Sequence, residues 1–223
     1  MIIRNNARST IDVYDSLLYE FKNDTSNDCI VLSGFKEKYS IDELKNMYDK
    51  IIVFNLEQYW DNFFKMDNYI NLLKQADEVW DYDEENIVNL SYIRDDIKLH
   101  LLKPFITIQE QEKEYDILYY GGINGRRKKI LDKLVNCNFN VKTLYWNDNV
   151  FGNNINDYIA KSKCLLNIHK DSNYKLQEQA RMIRWIGNGK IFSEKSIHNY
   201  LNVDEYEYDE LVDKIAEYLK NGK

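Results

Sequence analysis

The residues of this chain that could do chemistry begin with Gly121-Gly122-Ile123-Asn124-Gly125, which runs into four consecutive cations, Arg126, Arg127, Lys128 and Lys129. Glycine lets a backbone come close to a ligand, and a helix start offers unpaired N–H groups and a positive dipole end to an anion. Cations in a first helical turn face that same positive end, so four in a row raise the question of which negative group they meet. Bound phosphate is one answer, with Gly121, Gly122, Arg126, Arg127 and Lys128 as its contacts. A tight turn followed by a solvated basic helix face is the other. The glycine spacing matches neither the dinucleotide fingerprint nor the Walker loop, which argues against nicotinamide and P-loop chemistry.

Three further places carry suitable side chains. Asn167-Ile168-His169 closes an apolar run, and a histidine there could donate a hydrogen bond or move a proton, or simply be structural. Glu178 and Arg181, three apart, share a face with Trp185 on a helix expected over 176–188, opposite the apolar stripe Leu176, Ala180, Ile183 and Ile186. Glu178 could accept sugar hydroxyls and Arg181 could meet phosphate, or the two could form a surface ion pair. Glu57 follows the strongest apolar run of the first half, Ile51-Ile52-Val53-Phe54-Asn55. It is a candidate general base, with a dipole-favoured helix-starting carboxylate as the alternative. The 18 tyrosines and Trp60, Trp80, Trp146 and Trp185 could stack on rings of a ligand, or fill core and half-buried surface.

These positions gain meaning from the elements that must hold them. Short apolar runs alternate with helical stretches along the chain, at 29–34, 51–55, 77–82, 116–120, 139–145, 164–169 and 191–193, and continuous apolar strands belong to sheets covered on both faces. Ser40 with Glu43 three residues on marks a helix start. Strand–helix alternation with right-handed crossovers makes a parallel, doubly wound sheet, in which ligands bind at the carboxyl ends of strands. The single proline, Pro104, and the polar run Gln109-Glu110-Gln111-Glu112-Lys113-Glu114 place a boundary between domains at 1–108 and 109–223.

Composition narrows the classes. With 223 residues, 44% hydrophobic and 30% charged, the chain is an ordinary globular one with room for one large or two small domains. A net charge of −7 and a pI near 5.1 argue against a binder of nucleic acid or anionic membrane that relies on bulk positive charge, though a local basic site remains open. Cys29, Cys137 and Cys164 are far apart and without a metal-ligand pattern, so buried free thiols are expected and structural zinc is not. Neither a signal-peptide core nor a membrane span is visible, so the expected compartment is the cytoplasm, that of the host if the source is viral.

Taken in order, Asn55-Leu56-Glu57-Gln58, Ala76-Asp77-Glu78-Val79-Trp80-Asp81-Tyr82, Asp116 to Gly122 with Arg126-Arg127-Lys128, Leu166-Asn167-Ile168-His169, and Glu178, Arg181, Gly189-Lys190 and Ser193-Glu194 resemble segments of bacterial and viral glycosyltransferases. The resemblance is to the two-Rossmann (GT-B) architecture, group-1-like branch, over 51–196. It implies two Rossmann-like parallel-sheet domains facing a cleft, the N-terminal one reduced and on the acceptor side, the C-terminal one holding the donor. It implies a hexosyl- or pentosyltransferase that moves a sugar from a nucleotide-diphosphate sugar, such as a UDP-sugar, to the hydroxyl of a glycan or small acceptor. That sugar nucleotide would be a co-substrate; no cofactor and no metal are implied. By the same resemblance Gly122, Arg126, Arg127 and Lys128 would lie near the diphosphate and Glu178 near the sugar or ribose, with Glu57 as first and His169 as second candidate base. The second acidic residue usual seven or eight positions after the first is replaced by Trp185 and Ile186, which leaves the stereochemistry open. Two alternatives stand beside this reading, namely a glycosyltransferase acting on hydroxymethylated DNA bases and a non-catalytic sugar-nucleotide-binding module. The sequence does not set the oligomeric state.

Overall fold

The computed structural model describes residues 1–221 except 33, 60, 61, 146, 147, 149 and 174, and the side chains of 62 and 63 are also outside it. Trp60 and Trp146, two of the candidate stacking residues, lie outside the described residues. The chain divides into two compact units, Met1–Phe105 and Ile106–Lys223, each an α/β layer structure around a five-stranded parallel sheet.

In the first unit the strands β1 (Ile2–Asn5), β2 (Cys29–Leu32), β3 (Ile51–Asn55), β4 (Glu78–Asp81) and β5 (Lys98–Leu99) lie side by side in chain order. Every side chain of β2 and β3 is buried, as in a parallel strand covered on both faces, with Asn55 at the end of β3 the polar exception to their apolar run. Cys29, Val31, Ile51, Val53 and Val79 face α2 (Ile41–Met47), α3 (Asp67–Gln75) and α4 (Glu84–Leu90). On the alternate positions Phe54 meets Trp80 and His100, whose rings stack at 4.2 Å, and Phe21 at the end of α1 (Ile11–Glu20) joins them. Trp80 therefore spends its ring inside the unit. Ser40 and Glu43 form the expected reciprocal cap of α2. Gly34 follows β2 as a glycine because an added Cβ would stand 2.8 Å from Leu72 Cδ2 and 2.9 Å from Tyr69 Cε2.

In the second unit the spatial order is β10 (Asp204–Tyr206), β9 (Lys190–Glu194), β8 (Ser162–Asn167), β6 (Tyr115–Tyr120) and β7 (Val141–Leu144). The order in which successive strands are added across the sheet therefore reverses between β6 and β8. Ile117, Tyr119, Cys164, Leu166 and Phe192 pack on α5 (Gly125–Asn136) and α8 (Leu211–Asn221). Leu118, Leu165 and Ile191 alternate with them and pack on α6 (Asn156–Ala160) and on α7 (Gln179–Met182) with the turn after it. The period of two along each strand thus sends consecutive residues to opposite helical layers.

Three expectations need correction here. The helix foreseen over 176–188 shortens to α7 and a 3₁₀ turn at Ile183–Trp185, because Gln177 is buried and its side chain serves Asn199, Glu205 and the Leu201 N–H. Trp185, placed beside Glu178 and Arg181 on a polar face, is fully buried in the core with Leu118 and Met182. Of the cysteines Cys29 and Cys164 are buried free thiols, whereas Cys137, just past α5, is exposed.

Candidate functional site

The reversal between β6 and β8 is where an open α/β sheet forms a crevice at its carboxyl edge. Gly121-Gly122 leaves β6 there and Asn167-Ile168-His169 leaves β8, in neighbouring registers. Gly121 has φ +138°, and a Cβ on it would lie 3.2 Å from the Arg181 guanidinium carbon. The glycine is needed both for its backbone angle and to let this guanidinium lie against the chain. The Gly122 carbonyl is fixed by two donors, Tyr119 Oη at 2.9 Å and Arg127 Nη1 at 2.9 Å. Asn124 caps α5, accepting from the Arg127 N–H at 2.9 Å.

Around that loop the expected residues converge. Arg127, on the inward side of α5, also donates from Nε to the Ile168 carbonyl at 2.9 Å. Its Nη2 reaches Glu178 Oε1 at 3.1 Å, and the other Glu178 oxygen holds Arg181 Nη2 at 2.6 Å. Arg181 Nη1 donates to Asn167 Oδ1 at 3.0 Å, and Asn167 Nδ2 donates on to Ser193 Oγ at 3.0 Å. Arg127, Glu178 and Arg181 thus form a carboxylate bridging two guanidiniums, with side chains only 7%, 15% and 17% exposed. Burial pulls the Arg127 guanidinium below its ordinary pKa; Glu178 raises it and Arg181 lowers it. The cluster carries one net positive charge beside backbone glycines, which is suited to an anion.

The remaining cations answer the question of their partners differently. Arg126 makes a two-pronged ion pair with Glu194, donates to the His169 carbonyl at 3.1 Å and lies 3.9 Å over the Tyr208 ring. Lys128 is not part of the convergence, being well exposed and paired with Asp132 one turn along α5. His169 is buried, its N–H held by Glu194 at 3.0 Å. Its Nε2 lies 3.2 Å from the Lys195 carbonyl, to which it can only donate, and its buried Nδ1 has no hydrogen-bond partner among the described residues. Glu194 and Tyr208 tie the ends of β8 and β9 to α5; Glu194 entered the sequence reading only within the Ser193-Glu194 segment, without a role at the site, and Tyr208 not at all. Glu194 stands at the carboxyl end of β9, the position that the sheet-edge rule assigns to ligand-side residues.

Glu57 belongs to the first unit, in the loop after β3. Its backbone is held there by two amides: the N–H bonds Asn55 Oδ1 at 3.2 Å, and the carbonyl accepts from Asn55 Nδ2 and Asn86 Nδ2, both at 2.9 Å. Those two Nδ2 groups also donate to Asp81 Oδ2, at 2.6 and 2.7 Å, while the Asp83 N–H bonds Oδ1 at 3.0 Å. Asp81 is fully buried. Burial pushes its carboxyl up to about 8, opposed by the donors from Asn55, Asp83 and Asn86. The geometry presents Glu57 on a braced loop, a setting that its sequence neighbours do not announce.

A cavity of about 450 Å³ opens at the other, amino edge of the second sheet, lined by Lys113, Lys163, Gly187, Asn188 and Lys190. Its lysines are paired with Glu110, Asp116 and Asp204 respectively. Among the described residues no group of three or more His, Cys, Asp or Glu could hold a metal ion, and no helix is long and apolar enough to cross a membrane.

No known protein family's profile matches the chain. It is 28% identical over 197 residues to uncharacterized protein L140 of Acanthamoeba polyphaga mimivirus, covering 80% of this chain and 62% of that one. Against uncharacterized protein L137 of the same virus it is 30% identical over 177 residues, covering 71% of this chain and 23% of L137. Against L138 it is 38% identical over 121 residues, covering 49% and 13%. The chain therefore spans less than two thirds of each of these relatives. Among solved structures it is similar to a glycosylation-associated protein (Gap123) complex from Streptococcus agalactiae, with TM-score 0.46 and 12% identity over 92% of this chain and 50% of that one.

The buried Asp81 generates a prediction about pH. Its folded pKa lies above the roughly 3.9 of an unfolded aspartate, so the folded state binds a proton that the unfolded chain releases. The resulting stabilisation is fully present below about pH 4 and is lost as pH rises through about 8. Asp81→Asn removes this contribution, so urea midpoints should fall less between pH 5 and pH 8 in the variant than in the parent protein. Equal falls would contradict the assignment.

Proposed function

We propose that the chain is a glycosyltransferase that moves a sugar from a nucleotide-diphosphate sugar to an acceptor hydroxyl. The observation that carries this reading is the convergence of Arg127, Glu178, Arg181 and Asn167 on the Gly121-Gly122 loop at the reversal point of the second sheet. The motif resemblance over 51–196 is its second support. Gly121 and Gly122 let the diphosphate approach the backbone, Arg127 and Arg181 supply charge, Glu178 offers a carboxylate to sugar or ribose hydroxyls, and Asn167 orients Arg181. Arg126 contributes through the backbone it fixes, and Lys128 as an outlying positive charge.

In this reading the acceptor oxygen attacks the anomeric carbon as its proton passes to a base and the bond to the diphosphate oxygen breaks. Charge building on the leaving nucleoside diphosphate is met by the guanidiniums and by the amide N–H groups opening α5, without a metal ion. Glu57 is the first proposed base and His169 the second, the latter through Nδ1. Because the chain covers only part of its relatives, acceptor and sugar belong to the proposal.

Two substitutions test the two halves of this assignment. Arg181→Ala should weaken uridine or guanosine diphosphate binding by about 1.5–3 kcal/mol in titration calorimetry, the range of a charge-assisted hydrogen bond. Unchanged binding would remove the phosphate role. Glu57→Gln should leave donor affinity intact and lower turnover by roughly a hundredfold or more. A wild-type rate would remove Glu57 as base, and donor binding with no turnover in the parent protein would favour a binding module.

A further inference from the structure

The two guanidiniums at the reversal point are seated without Glu178. Arg127 is held by the Gly122 and Ile168 carbonyls, each at 2.9 Å, and Arg181 by Asn167 Oδ1 at 3.0 Å. These acceptors are neutral, so they fix direction and leave the charge to be met by something else. Glu178 meets it, one oxygen on each arginine. It precedes α7, yet its side chain makes no capping bond to that four-residue helix. Its carboxylate therefore occupies the position that a phosphate would take between Arg127 and Arg181, with the same bridging geometry. The neighbouring Arg126–Glu194 pair offers no such vacancy, being closed in two-pronged fashion under Tyr208 and anchored to the His169 N–H and carbonyl.

We propose that Glu178 is an in-chain substitute for the ligand's anion: it neutralises the arginine pair in the unliganded protein and surrenders Arg181 when a phosphate reaches the Gly121-Gly122 loop. The inference rests on the anion-binding reading of this site and adds a consequence for ligand class. Displacing one carboxylate repays best when the incoming group bears more than one negative charge, so a diphosphate is favoured over a singly charged anion. Once released from Arg181, Glu178 becomes available to a ligand hydroxyl. Selectivity for multiply charged ligands thus follows from a competitor built into the chain.

Titration calorimetry with inorganic pyrophosphate at fixed ionic strength tests this on the full chain, on Glu178→Gln and on Glu178→Asp. Glu178→Gln removes the competing charge and should bind about tenfold more tightly or better. Glu178→Asp keeps the charge but is one methylene shorter, so it cannot span both guanidiniums, and it should also bind more tightly than the parent. Gain in Glu178→Gln with none in Glu178→Asp would show a general charge effect and overturn displacement. Equal or weaker binding by Glu178→Gln would make Glu178 part of the anion site and overturn it too. If Glu178→Gln does not fold, as judged by circular dichroism, Glu178→Asp alone decides by the same criterion. No pyrophosphate binding by any of the three proteins would instead overturn the phosphate reading, and the inference with it.

Discussion

Burying arginine charge beside the carboxyl edge of a parallel sheet is the constraint on which the second unit depends. A guanidinium taken out of water costs several kcal/mol unless carboxylates and carbonyls replace its hydration. Arg127 is met by two carbonyls and Glu178, and Arg126 by Glu194 and a carbonyl. These pairings pull the Gly121 loop, the end of β8, the end of β9 and the approach to α7 onto the first turn of α5. The order of the site and the order of the fold are consequently one problem: removing either carboxylate leaves a buried positive charge.

Topology decides where this can happen. The second sheet reverses between β6 and β8, and helices pass to opposite faces on the two sides of that point, leaving the strand ends open between them. The first sheet runs β1 to β5 in chain order, so no reversal opens a crevice among its described strands. Its carboxyl edge is occupied instead by Asn55, Asp81, Asn86 and Tyr69, hydrogen-bonded to one another and to the Glu57 backbone. One unit thus presents charge at an open edge, the other a loop set on a buried polar brace.

Much of this was legible in the residues. The apolar runs at 51–55, 116–120 and 164–169 become β3, β6 and β8, and Ser40 with Glu43 marks the start of α2, because periodicity and capping are local properties. The α/β class with two parallel sheets follows from the same signals. The two-residue β5 and three-residue β10 were missed, since edge strands so short carry no pattern. Partners of the basic run were also out of reach: Arg126 pairs with Glu194 and Arg127 with Glu178, 68 and 51 positions away. The 176–188 helix misled because Gln177 reads as a surface residue yet is buried to bind three other groups. Trp185 lies in the core, on the 3₁₀ turn that replaces the end of that helix. Residues that satisfy distant polar groups leave no trace in a local pattern.

The β6–β8 edge is the proposed seat of a phosphate-bearing ligand. Amide chemical-shift mapping of the isotope-labelled full chain, titrated with a nucleoside diphosphate, addresses it most directly. Shifts concentrated at Gly121, Gly122, Asn124 to Arg127, Asn167 to His169 and Arg181 are expected. Shifts centred on Gly187 to Lys190 at the opposite edge, or none at saturating ligand, would contradict it.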